Sequence, residues 1–279
     1  MNKIETDLKG VPETLLWPLY NRAAEARKPD GVLRDTEAVR IKEAIDYPYE
    51  RQFGLPSSDS ALRALRFDEQ IRMYLREHPA ATVVGLGEGL ETQCRRVDNG
   101  QVRWLAVDLP ETIALRRQFL PDTMRHRNLA CSALDFSWMN DVDASRGVVV
   151  TAQGLLMYFD ESAVRELIGK CAKHFPGGWM IFDTIPRSMS ERTVRGYQKT
   201  ADYKTPPMPW GLDVDEVQQL ASFHPAILDV TSTPLDPPKG IVAVVKSEAK
   251  RRLGRFDRNS SCIVRLRFKQ SASVPAVAR

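Results

Sequence analysis

The segment Thr82-Val83-Val84-Gly85-Leu86-Gly87-Glu88-Gly89-Leu90-Glu91-Thr92 constrains this chain more than any other. A short β-branched strand runs directly into a turn with alternating glycines and then toward a helix. Glycine lacks a Cβ, so such a turn tolerates positive φ and lets a ligand approach the backbone closely. About twenty residues later Asp108 closes the next apolar run, Trp104-Leu105-Ala106-Val107. A carboxylate at the tip of the second strand of a parallel sheet is placed to accept two hydrogen bonds from a ribose diol. The glycine turn by itself is also compatible with a purely structural bend. Together with Asp108 it points to an adenosine-containing cofactor.

A dinucleotide fingerprint, G-x-G-x-x-G, requires a third glycine where this chain has Leu90. Glu88 and Glu91 would also crowd a pyrophosphate seated at a helix N-terminus. S-adenosylmethionine carries a sulfonium cation and no phosphate, so acids beside the turn are tolerable. Electrostatics therefore favours the methyl donor. The alternatives are an NAD(P)-dependent oxidoreductase, supported only by the turn and Asp108, and a non-catalytic module that keeps the cofactor fold for binding.

The surrounding pattern supplies the fold class. Residues 12–80 read as helical, with Leu15, Leu16, Leu19, Ala23 and Ala26 at helix spacing and a second periodic stretch at 60–77 ended by Pro79. From Thr82 onward, short β-branched runs at 82–84, 102–107, 127–131, 148–151 and 179–182 alternate with helical periodicity at 112–119 and 161–174. That alternation predicts a doubly wound, mostly parallel α/β sheet. Residues 1–80 then form a helical N-terminal cap and 81–279 the core. A polar, proline-bearing stretch at about 185–213 is too long for a plain connection and reads as a functional loop or lid. Residues 263–268 alternate apolar with basic, as an edge or half-buried strand would. Residues 241–245 are β-branched and 246–253 helix-like.

Composition excludes several classes. A chain of 279 residues, 43% hydrophobic and 27% charged, can bury one large core. The net charge of +4 is small, and its basic excess falls late, at Lys250-Arg251-Arg252, Arg255, Arg258, Arg265, Arg267 and Lys269. Such a run is usually a solvated face, so no nucleic-acid partner is expected. The four cysteines form no C-x-x-C pair, which suggests neither a metal site nor a disulfide framework. The first ten residues lack an apolar signal core, and the apolar run at 147–159 is too short to span a bilayer. No membrane partner is expected, and the expected compartment is the reducing cytoplasm.

Four segments in order carry a family resemblance: Arg63-Ala64-Leu65-Arg66-Phe67-Asp68, Leu86-Gly87-Glu88-Gly89-Leu90-Glu91-Thr92, Val107-Asp108-Leu109-Pro110-Glu111 and Gln153-Gly154-Leu155-Leu156-Met157-Tyr158. With Glu13-Thr14-Leu15-Leu16 and Arg22-Ala23-Ala24-Glu25 before them, the chain resembles the leucine carboxyl methyltransferase family, especially its bacterial branch of tetracenomycin-type O-methyltransferases. The resemblance covers roughly residues 10–185. It implies the seven-stranded class I methyltransferase sheet with a late antiparallel strand, for which 263–268 is suited, and S-adenosylmethionine as cofactor. It further implies that Arg63 binds the carboxylate of the methionine part, Gly85, Gly87 and Gly89 pass close to the ligand, and Asp108 with Leu109 holds the ribose. Ser132 and Ala133 fall beside the adenine, and Gln153 near the methionine amino group. Glu91, Gln153 and Ser132 depart from the family's usual aspartate, glutamate and aspartate.

Each of these residues also has a structural reading. Arg63 competes with Arg66 as an exposed helix arginine, Asp108 with a helix N-cap before Pro110, Gln153 with a strand-end amide, and Tyr158 with a core residue. Methyl transfer from a sulfonium is a direct displacement governed by alignment and needs neither metal nor covalent nucleophile. A carboxylate acceptor needs no base, whereas a phenol, with a reference pKa of about 10, gains from one. Asp183, His174 and His224 are the candidate bases. Tyr158, Tyr203, Met208 and Trp210 are candidate walls of a pocket for a small, aromatic or polyketide-like acceptor.

Overall fold

The computed structural model describes residues 3–235 and 260–270. The β-branched runs become the strands of one sheet: β3 (Thr82–Leu86), β4 (Arg103–Asp108), β5 (His126–Ala130), β6 (Val148–Ala152), β7 (Trp179–Thr184), β8 (Ile227–Pro234) and β9 (Cys262–Phe268). Two two-residue strands, β1 (Ile4–Glu5) and β2 (Ile45–Asp46), pair separately. The sheet order is β5-β4-β3-β6-β7-β9-β8. β3 pairs in parallel with both β4 and β6, whereas β9 runs antiparallel to β7 and β8. Among the described residues this is the seven-stranded, mostly parallel, doubly wound sheet that the sequence implied. After β3 the chain builds outward through β4 and β5, then returns to the other side of β3 as β6. The reversal leaves a crevice beyond the carboxyl ends of β3 and β6, where open α/β sheets bind ligands.

Helices cover both faces of the sheet because their apolar stripes match it. α7 (Glu161–His174) starts where Asp160 accepts the Ala163 amide at 2.8 Å, a side-chain cap for the free first-turn donors. Its buried Leu167, Ile168 and Cys171 pack in one cluster with Val84, Leu105, Val150 and Phe182. α6 (Pro110–Phe119) opens with proline at its first position, where a missing N–H costs nothing. On the opposite face α4 (Asp59–Glu77) presents Phe67, Ile71, Tyr74 and Leu75, at three- and four-residue spacing, to Val83, Val149, Ile181 and Ile263. α4 is thus part of the sheet's covering layer. The shorter helices α1 (Leu16–Ala26), α2 (Thr36–Ala44) and α3 (Tyr49–Phe53) gather Leu16, Leu19, Ile41 and Phe53 into a separate apolar cluster over the glycine turn, which contributes Leu90.

The structure refines the reading of three segments. Residues 263–268 form the half-buried, late antiparallel strand expected, but not an edge. β9 lies between β7 and β8, and Arg265 is covered, its guanidinium 4.6 Å from the Trp179 ring and donating to Gln70 Oε1 at 3.0 Å. A basic residue on an apparently alternating strand was hidden by its aliphatic stem and a cation–π contact. β8 ends in Thr-Ser-Thr-Pro and carries little apolar signal in the sequence. The stretch 185–213, expected as a functional loop or lid, contains α8 (Arg187–Val194), and its Tyr203, Trp210 and Leu212 are buried. The expectations for 241–253 and for the basic residues at 250–258 lie outside the described residues. No helix among the described residues is long and apolar enough to cross a membrane.

Because α4 carries Arg63 at one end and the sheet contact at the other, its seating should be tested by a cavity. Ile71→Ala is expected to cost about 2–5 kcal/mol in urea unfolding; a loss under about 1 kcal/mol would mean that α4 does not pack as described.

Candidate active site

A cavity of about 610 Å³ opens beyond the carboxyl ends of the strands. Its polar wall comes from successive strand ends: Gly87 after β3, Asp108 on β4, Ser132 after β5, Gln153 after β6 and Asp183 on β7. The N-terminal helices roof it with Trp17, Arg22, Ser60 and Arg63.

The glycine turn keeps its shape for three reasons. Gly87 and Gly89 have φ of +60° and +50°, and Cβ atoms there would meet Leu155 at 2.7 Å and Leu15 at 3.0 Å. Asp108 reaches across from β4, Oδ2 accepting the Gly89 amide at 2.7 Å and Oδ1 the Leu109 amide at 2.7 Å. Buried arginines hold the turn from inside. Arg116 Nη1 donates to the carbonyls of Gly89 at 2.9 Å and Glu91 at 2.7 Å, and Arg22 Nη2 donates to that of Leu90 at 2.9 Å. Three consecutive carbonyls are therefore satisfied by guanidinium donors instead of helix hydrogen bonds. α5 (Gln93–Arg96), which follows, is a single turn.

The two acids of the turn do not face a ligand as free charges. Glu91 bridges Arg22 at 2.8 Å and Arg96 at 2.7 Å, and accepts Gln153 Nε2 at 3.2 Å. Burial by itself would raise the Glu91 pKa, but the two guanidiniums outweigh it and hold the carboxyl at about 2. Asp35, the N-cap of α2, joins the same network through Arg22, Arg96 and Thr92, and Asp68 of α4 joins through Arg96. Glu88 instead folds under the turn. Its Oε1 accepts from Trp104 Nε1 at 3.0 Å, and its carboxyl fills the space that a Cβ on Gly85 would take, 1.6 Å from Oε2. Burial pushes the Glu88 pKa up to about 7, against the pull of Arg116. The turn's acidity is thus compensated internally, which weakens the electrostatic contrast between methyl donor and dinucleotide that the sequence suggested.

Three buried side-chain polar atoms of cavity-lining residues have no hydrogen-bond partner in the protein: Thr112 Oγ1, Gln153 Oε1 and Arg63 Nε. Gln153 offers its oxygen as an acceptor because Glu91, which can only accept, fixes the amide nitrogen on the other side. An ammonium and a carboxylate, as in an amino-acid moiety, are the complementary groups. The bare backbone at Gly87 and Gly89 and the carboxylate of Asp108 suit an adenosine. These residues fit S-adenosylmethionine.

Residues 16–172 match the leucine carboxyl methyltransferase family. The chain belongs to that family. TcmP, a tetracenomycin polyketide synthesis O-methyltransferase of Streptomyces glaucescens, is 34% identical over 182 residues, 64% of this chain and 67% of TcmP. The S-adenosyl-L-methionine-dependent methyltransferase dpfgK of Gibberella zeae is 30% identical over 194 residues, 63% of this chain and 65% of dpfgK. The matched region therefore spans about two thirds of each curated relative. Among solved structures, the small RNA methyltransferase HEN1 shares the fold, with a TM-score of 0.51 at 16% identity over 76% of this chain and 26% of that one. This leucine carboxyl methyltransferase family member is an S-adenosylmethionine-dependent methyltransferase. The nicotinamide oxidoreductase and non-catalytic alternatives give way to that assignment.

Of the residues that the sequence singled out, Arg63, Gly87, Gly89, Asp108, Leu109, Ser132, Ala133, Gln153, Tyr158, Asp183 and Met208 all line the cavity. Arg66, the competitor of Arg63, is exposed and pairs with Glu69 instead. Five candidates fall elsewhere. Gly85 makes room for Glu88. Tyr203 stacks edge-on to Phe53 and Trp17 in the aromatic cluster of the cap, and Trp210 packs against Phe182. His174 is exposed at the end of α7 beside Phe175, and His224 uses Nδ1 to accept the Ala226 amide. Sequence reasoning gave no role to Arg22 and Arg116. The signal was present: each lies on the apolar stripe of its helix, where a charge must find buried partners.

Two outcomes test this electrostatic layout. Arg22→Met strands Glu91 and Asp35 in the interior and should cost about 3–5 kcal/mol in denaturant unfolding; a loss under about 1 kcal/mol would dissolve the network as a stabilising unit. For Glu88, the folded-state pKa of about 7 exceeds the ordinary value of 4.5, so its stabilising protonation is complete below the unfolded value and lost as pH rises through the folded one. The stability of Glu88→Gln relative to the parent should therefore rise between pH 5 and 8, by on the order of 2 kcal/mol. A difference independent of pH over that window would contradict the raised pKa.

Proposed function

We propose that this enzyme transfers the methyl group of S-adenosylmethionine to a carboxyl or phenolic oxygen of a small, aromatic or polyketide-like acceptor. Bound in the cavity, S-adenosylmethionine supplies an electrophilic methyl on a sulfonium. The observation that carries the reading is Asp108, which bridges the strand tip and the glycine turn at the cavity wall. Each of its oxygens holds one backbone amide and keeps a further lone pair for a ribose hydroxyl. Arg63 would bind the amino-acid carboxylate and Gln153 Oε1 the ammonium. Ser132 and Ala133 would flank the adenine, with Leu109 beside the ribose.

The chain's part in the reaction is alignment and exclusion of water. Of residues 1–80, expected as the cap over a core of 81–279, α1–α3 would roof the site while α4 packs with the sheet, with the segment at about 185–213 on the acceptor side. Met157, Met189, Met208, Ile185 and Trp17 give the cavity an apolar wall suited to a flat or greasy acceptor. Tyr158 stands among Thr14, Arg63 and Asp183, where burial raises its pKa and keeps the hydroxyl protonated. It can therefore donate a hydrogen bond that orients an acceptor oxygen while keeping its own proton. The oxygen specificity is supported by TcmP, whose name records O-methylation in polyketide synthesis.

Calorimetry with S-adenosylhomocysteine provides the test. The parent protein should bind it, and Asp108→Ala should weaken binding about 100-fold, through loss of two charge-assisted hydrogen bonds. Failure of the intact protein to bind would end the proposal. Transfer of labelled methyl across a panel of phenols and carboxylic acids would then define the acceptor oxygen, and transfer only to nitrogen or sulfur compounds would refute O-methylation.

A further inference from the structure

Asp183, at the end of β7, is 3% exposed, and both of its oxygens are engaged. Oδ1 accepts the Gly154 amide at 2.5 Å, and Oδ2 accepts Arg63 Nη1 at 3.0 Å. The two side chains are separated by 120 residues in sequence and meet at the cavity wall. Gly154 has φ of +69°, and a Cβ there would stand 3.0 Å from Arg63 Nη1. The bare backbone at 154 is what lets the guanidinium lie against it. Of the guanidinium's donors, Asp183 takes one, while Nε is buried without a protein partner. An unrestrained arginine samples many rotamers, whereas one tied to a buried carboxylate presents its remaining donors in a fixed fork.

From this arrangement we infer that Asp183 is a positioning residue, holding the Arg63 guanidinium so that its free donors meet the carboxylate of the methyl donor's amino-acid part. The inference rests on the assignment of Arg63 made above. A general-base role suits Asp183 poorly. Protonating Asp183 would cancel the charge that pairs it with Arg63 at 3.0 Å.

The test compares two ligands. S-adenosylhomocysteine carries the amino-acid carboxylate; 5′-methylthioadenosine keeps the adenosine and thioether but lacks it. Affinities for both are measured by calorimetry for the parent, Asp183→Asn, Arg63→Ala and the double variant. Asp183→Asn should weaken S-adenosylhomocysteine about tenfold and leave methylthioadenosine within about twofold. On the Arg63→Ala background the same change should alter neither ligand by more than about twofold, because the residue it positions is gone. Should circular dichroism show that Asp183→Asn does not fold, Asp183→Glu displaces the carboxylate by one methylene and should give the same selective loss. Equal weakening of both ligands, unchanged S-adenosylhomocysteine affinity, or additive losses in the double variant would each overturn the inference. Absence of S-adenosylhomocysteine binding by the parent itself would instead remove the methyl-donor site on which it rests.

Discussion

The cofactor turn depends on buried guanidiniums. Three successive carbonyls, those of Gly89, Leu90 and Glu91, point into the protein and are accepted by Arg116 and Arg22. Unsatisfied, each would carry a desolvation cost of about 1–3 kcal/mol, and the turn would relax toward solvent. Satisfied from below, it leaves its upper surface for a ligand. Arg116 reaches the turn from α6 under the β4 end, whereas Arg22 reaches it from α1. The glycine turn is therefore a shared product of the sheet and the N-terminal helices.

The same arginines explain how two glutamates can sit in the turn proposed to hold the methyl donor. Glu91 spends its charge on Arg22 and Arg96, and through them on Asp35 and Asp68. Glu88 has Arg116 Nη2 3.6 Å from its Oε1, yet burial outweighs that single cation and pushes it toward its protonated form. One acid is a structural anion, and the other, its pKa raised to about 7, fills the niche beside Gly85. Glu91 also sets the amide of Gln153, nitrogen inward and oxygen unpartnered. Where the family usually has glutamate near the donor's amino group, this chain presents a neutral acceptor whose orientation a buried carboxylate has already fixed.

Much of the site was legible in the sequence. Glycine spacing and an acid at the next strand tip depend on local chain geometry, so Gly87, Gly89 and Asp108 could be placed at one wall without coordinates. Family resemblance added Arg63, Leu109, Ser132, Ala133 and Gln153, all of which line the cavity. Acceptor-side residues fared less well. Tyr203 and Trp210 are aromatic and lie in a proline-bearing segment, but aromatic content cannot distinguish a pocket wall from a cap core, and both side chains are buried away from the cavity. His174 and His224, chosen for their chemistry, are placed by packing outside the cavity lining.

The sequence by itself determined the fold class and the glycine turn with its acidic partner at the next strand tip, because periodicity and glycine spacing act over a few residues. Only the tertiary structure decided which charges compensate one another. Arg22 and Glu91, Arg116 and the turn carbonyls, and Arg63 and Asp183 are brought together across long separations, and burial converts each proximity into an obligation. A charge on an apolar stripe announces that a partner exists; the packing of helices on the sheet chooses it.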